Sequence, residues 1–235
     1  MMKKNGFTLA EVLITLAIIG VVATMTLPAL MTNTAEQQAK TALKKGINTL
    51  TEAAQMNEAV AGFNYASMTD AWPSTLNDTA INEQSLFGIL ANRTAIDYRK
   101  STLIDSSGAK VAPDKVVYFQ DGTALLFKGT DVVSNKTNAA LQPDGLPLGI
   151  PVIFDTNGAK GPNILSNCTG TALGADEDTD ANFTTALGTE FSTKTCGEKA
   201  KRVIKDQFRL RLRGGIAQPS GAASEWTFSE AVTKK

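Results

Sequence analysis

The chain has no histidine. That absence removes the imidazole on which Ser-His-Asp and Cys-His nucleophilic sites depend, and it removes histidine as a metal ligand. No paired-carboxylate signature stands in for it, so an anchored enzyme has little support and no cofactor is expected. Cysteine is reduced to Cys168 and Cys196, and neither has a base near it in sequence to activate a thiolate. Neither sign of charge predominates: 23 basic side chains face 23 acidic ones. A strongly basic nucleic-acid binder and an acidic sink are both disfavoured by that balance. No internal repeat or long low-complexity linker is present. Residues 12–31 lack charge altogether.

That uncharged run is what the rest of the chain follows. Its 20 positions, at about 1.5 Å of rise each, are enough for a helix to cross a hydrocarbon core of roughly 30 Å. A helix satisfies its own backbone in lipid, so length and composition together predict a membrane-inserted helix. Lys3 and Lys4 precede it, which keeps the N-terminus cytoplasmic and exports the rest. A cleaved secretory signal has the same charge order. The apolar run is long for one, however, and no small-x-small cleavage site clearly follows. Glu11 is out of place in an ordinary anchor, because a carboxylate in the first turns of a spanning helix is costly without a partner. No cation of the same chain is near enough within the bilayer, so a partner from another subunit is attractive.

Gly6-Phe7-Thr8-Leu9-Ala10-Glu11-Val12-Leu13-Ile14, behind Lys3 and Lys4, resembles the prepilin signal of type IV pilins and type II secretion pseudopilins. The motif covers about 25 residues and is specific in its spacings. The resemblance implies that a prepilin peptidase cuts between Gly6 and Phe7 on the cytoplasmic side and N-methylates Phe7. It implies that Glu11 neutralises the amine of an adjacent subunit's Phe7 during assembly. Gly20 and Pro28 also match family positions, in a part of the helix that loosens within the filament, consistent with how both residues weaken helices. Loss of residues 1–6 would remove Lys3 and Lys4 and leave 21 basic against 23 acidic side chains.

The helix is not expected to end at the membrane. Leu43, Ile47, Leu50 and Ala54 recur at helical spacing, while Lys40, Lys44, Lys45 and Glu52 fall mostly off that stripe. One helix over residues 7–61 is predicted, with a bend at Pro28 and a stop at Gly62. Residues 63–112 offer apolar anchors such as Phe63, Leu86, Phe87, Ile89 and Leu90, a short helix over residues 82–91, and a turn at Ser106-Ser107-Gly108. Strands are predicted over residues 116–119 and 123–127. Asp121-Gly122 between them is a hairpin signal of the type I′ kind. After a polar excursion over residues 129–149, residues 150–155 form a third strand, with Pro151 at a sheet edge or strand start. The following Asp155-Thr156-Asn157-Gly158-Ala159-Lys160-Gly161-Pro162-Asn163 is a tight loop of backbone-bonding and turn-setting residues. It resembles a turn found in many pilin-like heads and only in part a calcium loop.

Cys168 and Cys196 fall in the exported part, where an oxidising compartment favours a disulfide; the loop closure would contribute roughly 3–4 kcal/mol. Two unpaired thiols are the alternative. In pilins a disulfide-bounded loop often forms the variable surface, and these cysteines suit such a region. Between them, Asp176, Glu177, Asp178 and Asp180 read as a solvated acidic loop or, less favourably, a calcium site. Residues 201–213 alternate most clearly: Phe208, Leu210 and Leu212 point one way and Arg209, Arg211 and Arg213 the other. That predicts a strand with a solvated arginine face, and the arginine row is a candidate contact for DNA phosphates or an acidic partner. Trp226 and Phe228 suggest one last strand.

The resulting expectation is an α+β chain: a long N-terminal helix packed on a C-terminal antiparallel β-sheet head, as in pilins. Its parts are a leader (1–6), a transmembrane and filament-core half-helix (7–31), an amphipathic half-helix (32–62) and a globular head (63–235). The function implied is that of a filament subunit, pilin or pseudopilin, made with other pilin-like subunits as a homo- or hetero-polymer. Its partners would be a prepilin peptidase, an assembly ATPase and an inner-membrane platform protein. It would sit in the bacterial inner membrane before assembly and in a periplasmic or cell-surface filament afterwards. The competing function is a minor pilin that binds DNA or a surface.

Overall fold

A computed structural model describes residues 8–68, 84–97, 102–103, 115–127, 149–158, 160, 165–169 and 201–229. Helix α1 runs Leu9–Ala61 without interruption. It belongs to two compact units, Met1–Gln38 and Ala39–Lys235.

In the second unit the amphipathic stripe is buried as its spacing predicts. Leu43, Ile47, Leu50 and Ala54 are all buried, and Ala39 joins them one turn earlier. The helix stops at Gly62, which takes φ +80° and donates its N–H to the Glu58 carbonyl at 3.0 Å. Glycine suits a left-handed residue after a helix because it has no Cβ to clash. Polar groups against the helix are satisfied one by one. The buried Tyr65 hydroxyl donates to the Leu50 carbonyl at 2.7 Å, and Thr51 Oγ1 accepts the Ala217 N–H at 3.1 Å.

Helix α2 spans Leu86–Arg93, with Ser85 as its N-cap accepting the Gly88 N–H. It starts later than the sequence suggested because the Ser85 hydroxyl, rather than an earlier side chain, caps it. Leu86, Phe87, Ile89 and Leu90 are fully buried.

Among the described residues eight strands follow: β1 Thr102–Leu103, β2 Lys115–Tyr118, β3 Ala124–Phe127, β4 Ile150–Asp155, β5 Asn167–Thr169, β6 Lys201–Val203, β7 Gln207–Arg213 and β8 Ile216–Pro219. Six form a sheet in the order β1-β2-β3-β4-β7-β8, with every neighbouring pair antiparallel. β5 and β6 make a separate antiparallel pair. The α+β expectation of a long helix with an antiparallel sheet is therefore met. One sheet face carries Val117, Leu125, Phe154 and Phe208 in successive strands, and these share a core with Leu43, Ile47 and Leu50.

Gly46 sets how closely helix and sheet approach. A Cβ placed there would run into the ring of Phe154, itself 1 % exposed. Gly46→Ala is expected to lose stability despite better helix propensity, since overpacking costs about 1–3 kcal/mol against a gain of about 1 kcal/mol. Denaturant midpoints of the full chain in nanodiscs check this; an increase would mean that the ring yields.

Two local expectations change. The β2–β3 hairpin forms, but as a three-residue loop: Gly122 N–H donates to the Phe119 carbonyl and Phe119 N–H to Thr123, with Gly122 at φ +90°. That is the pattern of a turn followed by a glycine bulge rather than a two-residue I′ turn. Pro151 stands at the start of β4, as expected, as its second residue, and is paired with Arg211 of β7. The tail is helical rather than a strand. Helix α3 spans Ala222–Ser229 and starts from Gly221 at φ +85°, where good helix formers outweigh the strand preference of Trp226 and Phe228. Lys40 Nζ lies 4.7 Å from the centre of the Trp226 ring, a cation–π contact joining α1 and α3.

Candidate functional site: the N-terminal helix start and the arginine strand

Helix α1 opens with Thr8 and Glu11 three residues apart, and their side chains close on one another. Glu11 Oε2 accepts the Thr8 N–H at 2.8 Å and the Thr8 hydroxyl at 2.9 Å. The Glu11 N–H in turn donates to Thr8 Oγ1 at 3.3 Å. This reciprocal arrangement is a capping box: it satisfies backbone donors that the first turn of any helix leaves without partners. The sequence analysis did not identify this box, although Thr-x-x-Glu before an apolar run is its signature. Glu11 has partners within its own chain, and they engage Oε2.

Beyond the box, Leu9–Leu27 is long and apolar enough to cross a membrane, and none of it is buried within the chain. Its large apolar side chains, from Leu9 at 81 % exposure to Leu27 at 53 %, are exposed. The hydroxyls that interrupt it are turned onto the helix itself: Thr15 donates to the Val12 carbonyl, Thr24 to Val21 and Thr26 to Val22, each within 3.0 Å. A hydroxyl bonded in this way needs no water and is compatible with lipid or with a packed helix bundle. The backbone stays helical through Pro28, whose missing N–H leaves the Thr24 carbonyl without its usual donor. Gly6 and Phe7 lie outside the described residues.

The arginine strand differs from its expectation. β7 alternates as predicted, with Phe208, Leu210 and Leu212 in the core. Arg209, Arg211 and Arg213 share the other face, yet they are 3 %, 4 % and 2 % exposed. They do not form a solvated row, and no cationic surface is offered there to a phosphate backbone. Alternation shows which residues share a face; it does not show whether that face is covered. Arg213 donates to Gln218 Oε1 at 3.0 Å. Arg211 Nε lies 3.3 Å from Ser220 Oγ, while its buried Nη1 has no hydrogen-bond partner. Burial, and then repulsion from Arg213, lower the pKa of Arg211 to about 10.

At the far end of the same face, the Asp155 loop is a built turn. Asp155 Oδ1 accepts the N–H groups of Asn157 at 3.0 Å and Gly158 at 2.8 Å. Its Oδ2 accepts Gln207 Nε2 at 2.9 Å, and Gly158 takes φ +63°. Asn157 Nδ2 donates to Asp206 Oδ2 at 3.1 Å. Burial pushes the Asp155 pKa above its ordinary value of 3.8, outweighing the pull of the bonds from Gln207, Asn157 and Gly158, and nearby Asp206 pushes the same way. A carboxyl whose folded pKa is raised contributes stability below its unfolded pKa and loses that contribution as pH rises through the folded value. Asp155→Asn is therefore expected to flatten the decline in denaturant midpoint just above the ordinary carboxylate range. An unchanged pH profile would sink this assignment.

Cys168 lies on β5 opposite Arg202; Cys196 falls outside the described residues, so the pairing does too. The acidic residues Asp176, Glu177, Asp178 and Asp180, the Ser106-Ser107-Gly108 turn and most of the 129–149 excursion are likewise outside them.

Residues 1–27 match the family model described as the prokaryotic N-terminal methylation motif. No curated protein and no solved structure matches the chain. An apolar helix start closed by a capping box, uncovered within its own chain and coincident with that match, fits membrane anchoring: the chain carries the N-terminal methylation motif, the signature of type IV pilins and pseudopilins.

Proposed function

We propose that the chain is a structural subunit of a type IV pilus-like or type II secretion pseudopilus filament. Prepilin peptidase cuts it between Gly6 and Phe7 and methylates the new Phe7 amine. The subunit waits in the inner membrane as a single-pass protein with a cytoplasmic N-terminus. An assembly ATPase and an inner-membrane platform protein then drive its withdrawal into a homo- or hetero-polymeric filament in the periplasm or at the cell surface. Glu11 meets the charged Phe7 amine of a neighbouring subunit, with Oε1 outside the capping box and open to it. In the exported unit, Cys168 and Cys196 form a disulfide.

The observation that carries this reading is the uncovered apolar run Leu9–Leu27 within the matched motif. Uncovered apolar surface of that length requires lipid or other helices around it. Burial of Arg209, Arg211 and Arg213 takes away the feature on which the DNA-binding alternative rested. Mass spectrometry of the mature protein is the direct test. A terminus at methylated Phe7 is expected; an intact Met1 terminus in peptidase-competent cells would overturn the proposal.

A further inference from the structure

Strand β4 ends in Asp155 and is followed at once by Thr156-Asn157-Gly158. Asn157-Gly158 is a chemically labile pair. The Gly158 nitrogen can attack the Asn157 carboxamide carbon, since glycine has no side chain to hinder the approach. The N–Cγ bond forms and the Cγ–Nδ2 bond breaks. The Gly158 amide proton leaves with the departing nitrogen as ammonia. Water then opens the five-membered imide at either carbonyl, giving aspartate or isoaspartate.

Closure requires two things. The Gly158 nitrogen must give up its proton, and the carboxamide must turn onto it. Two buried carboxylates, Asp155 and Asp206, oppose both. The Gly158 N–H donates to Asp155 Oδ1 at 2.8 Å. That bond favours the protonated amide, and an amide anion in its place would face a like charge. Burial leaves little water to screen the repulsion. The Asn157 carboxamide is held elsewhere, with Nδ2 donating to Asp206 Oδ2 at 3.1 Å. The backbone before the pair is pinned as well. Asp155 Oδ1 also accepts the Asn157 N–H at 3.0 Å. The Asp206 carbonyl accepts the Thr156 N–H at 2.8 Å and the Thr156 hydroxyl at 2.9 Å.

We propose that Asn157 is a deamidation site that the folded second unit holds shut, with Asp155 and Asp206 as its positioning residues. Unfolding breaks the bonds to both carboxylates, and conversion then proceeds. Its product puts a carboxylate where Asn157 Nδ2 donates to Asp206. Attraction becomes repulsion, and the tie between the loop after β4 and the segment before β7 is cut. Isoaspartate at position 157 therefore records time that the chain has spent unfolded.

The test incubates the full chain in lipid nanodiscs at mildly alkaline pH. Peptide mass spectrometry reads aspartate and isoaspartate at position 157. The same chain in urea gives the unfolded rate. The folded chain is expected to convert at least about tenfold more slowly. Asp155→Asn keeps an acceptor for the Gly158 N–H and removes the charge. It should speed conversion in the folded state by about tenfold, although it relieves the stability loss expected above the carboxylate range. A merely structural role for Asp155 would leave the rate unchanged or lower it. Asp206→Ala releases the carboxamide and should also speed conversion. If its urea midpoint shows that it has lost its fold, Asp155→Asn decides alone. Conversion of the folded chain as fast as in urea would overturn the proposal. So would a rate unmoved by Asp155→Asn or by a folded Asp206→Ala.

Discussion

Chains with Glu11→Ala are expected to enter the membrane as the parent does and to yield at least about tenfold fewer filaments. Insertion follows from the apolar run and its basic flank, which the change leaves intact or strengthens. Under the proposed filament assembly, a charged Phe7 amine packed among apolar helices would need a carboxylate, and removing one partner of a buried pair strands the other. The capping box makes the test sharper. Thr8→Val removes the hydroxyl that bonds Glu11 Oε2 but keeps the charge. Glu11→Gln keeps the shape and loses the charge. If the charge matters, the glutamine variant fails with the alanine one and Thr8→Val assembles better than both. Normal filament yield from Glu11→Ala would end the proposed pairing of this residue with a neighbour's Phe7 amine, and the capping box alone would then account for it.

Arg211→Met is expected to raise the stability of the second unit by about 1–4 kcal/mol, the range seen when buried ionic groups give way to apolar side chains of similar volume. A buried guanidinium with one long bond to Ser220, an unpartnered Nη1 and a like charge beside it loses hydration without an equivalent return. Methionine is unbranched and adaptable enough to fill the space. Arg213→Met should relieve Arg211 in the same way, so the double variant should gain less than the two single gains added together. Urea midpoints of the full chain in nanodiscs decide it. A loss of about 2 kcal/mol or more from Arg211→Met would show that the guanidinium is neutralised after all.

Much of the architecture was legible because it rests on periodicity. The Leu43-Ile47-Leu50-Ala54 stripe, the Gly62 stop, the Asp121-Gly122 hairpin and the alternation of β7 all follow from local rules that neighbours in sequence enforce. Shorter elements were not legible. β1, β5 and β6 have two or three residues each, too few to show a period, and exist because a partner strand is beside them. β8 had a signal that went unused: Gly214-Gly215 is a two-residue loop between Arg213 and Ile216, which pair directly, and such loops mark hairpins.

The opening segment shows the same division. By itself the sequence determined that Leu9–Leu27 is an apolar helix with a carboxylate near its start, because length, charge and spacing are properties of the chain alone. The closure of Glu11 onto Thr8 is equally local, carried by Thr-x-x-Glu. Only the tertiary structure decided that the arginine face of β7, which alternation could only orient, is covered. Periodicity fixes direction relative to a helix axis or sheet plane, whereas burial depends on what distant parts of the chain bring to that face.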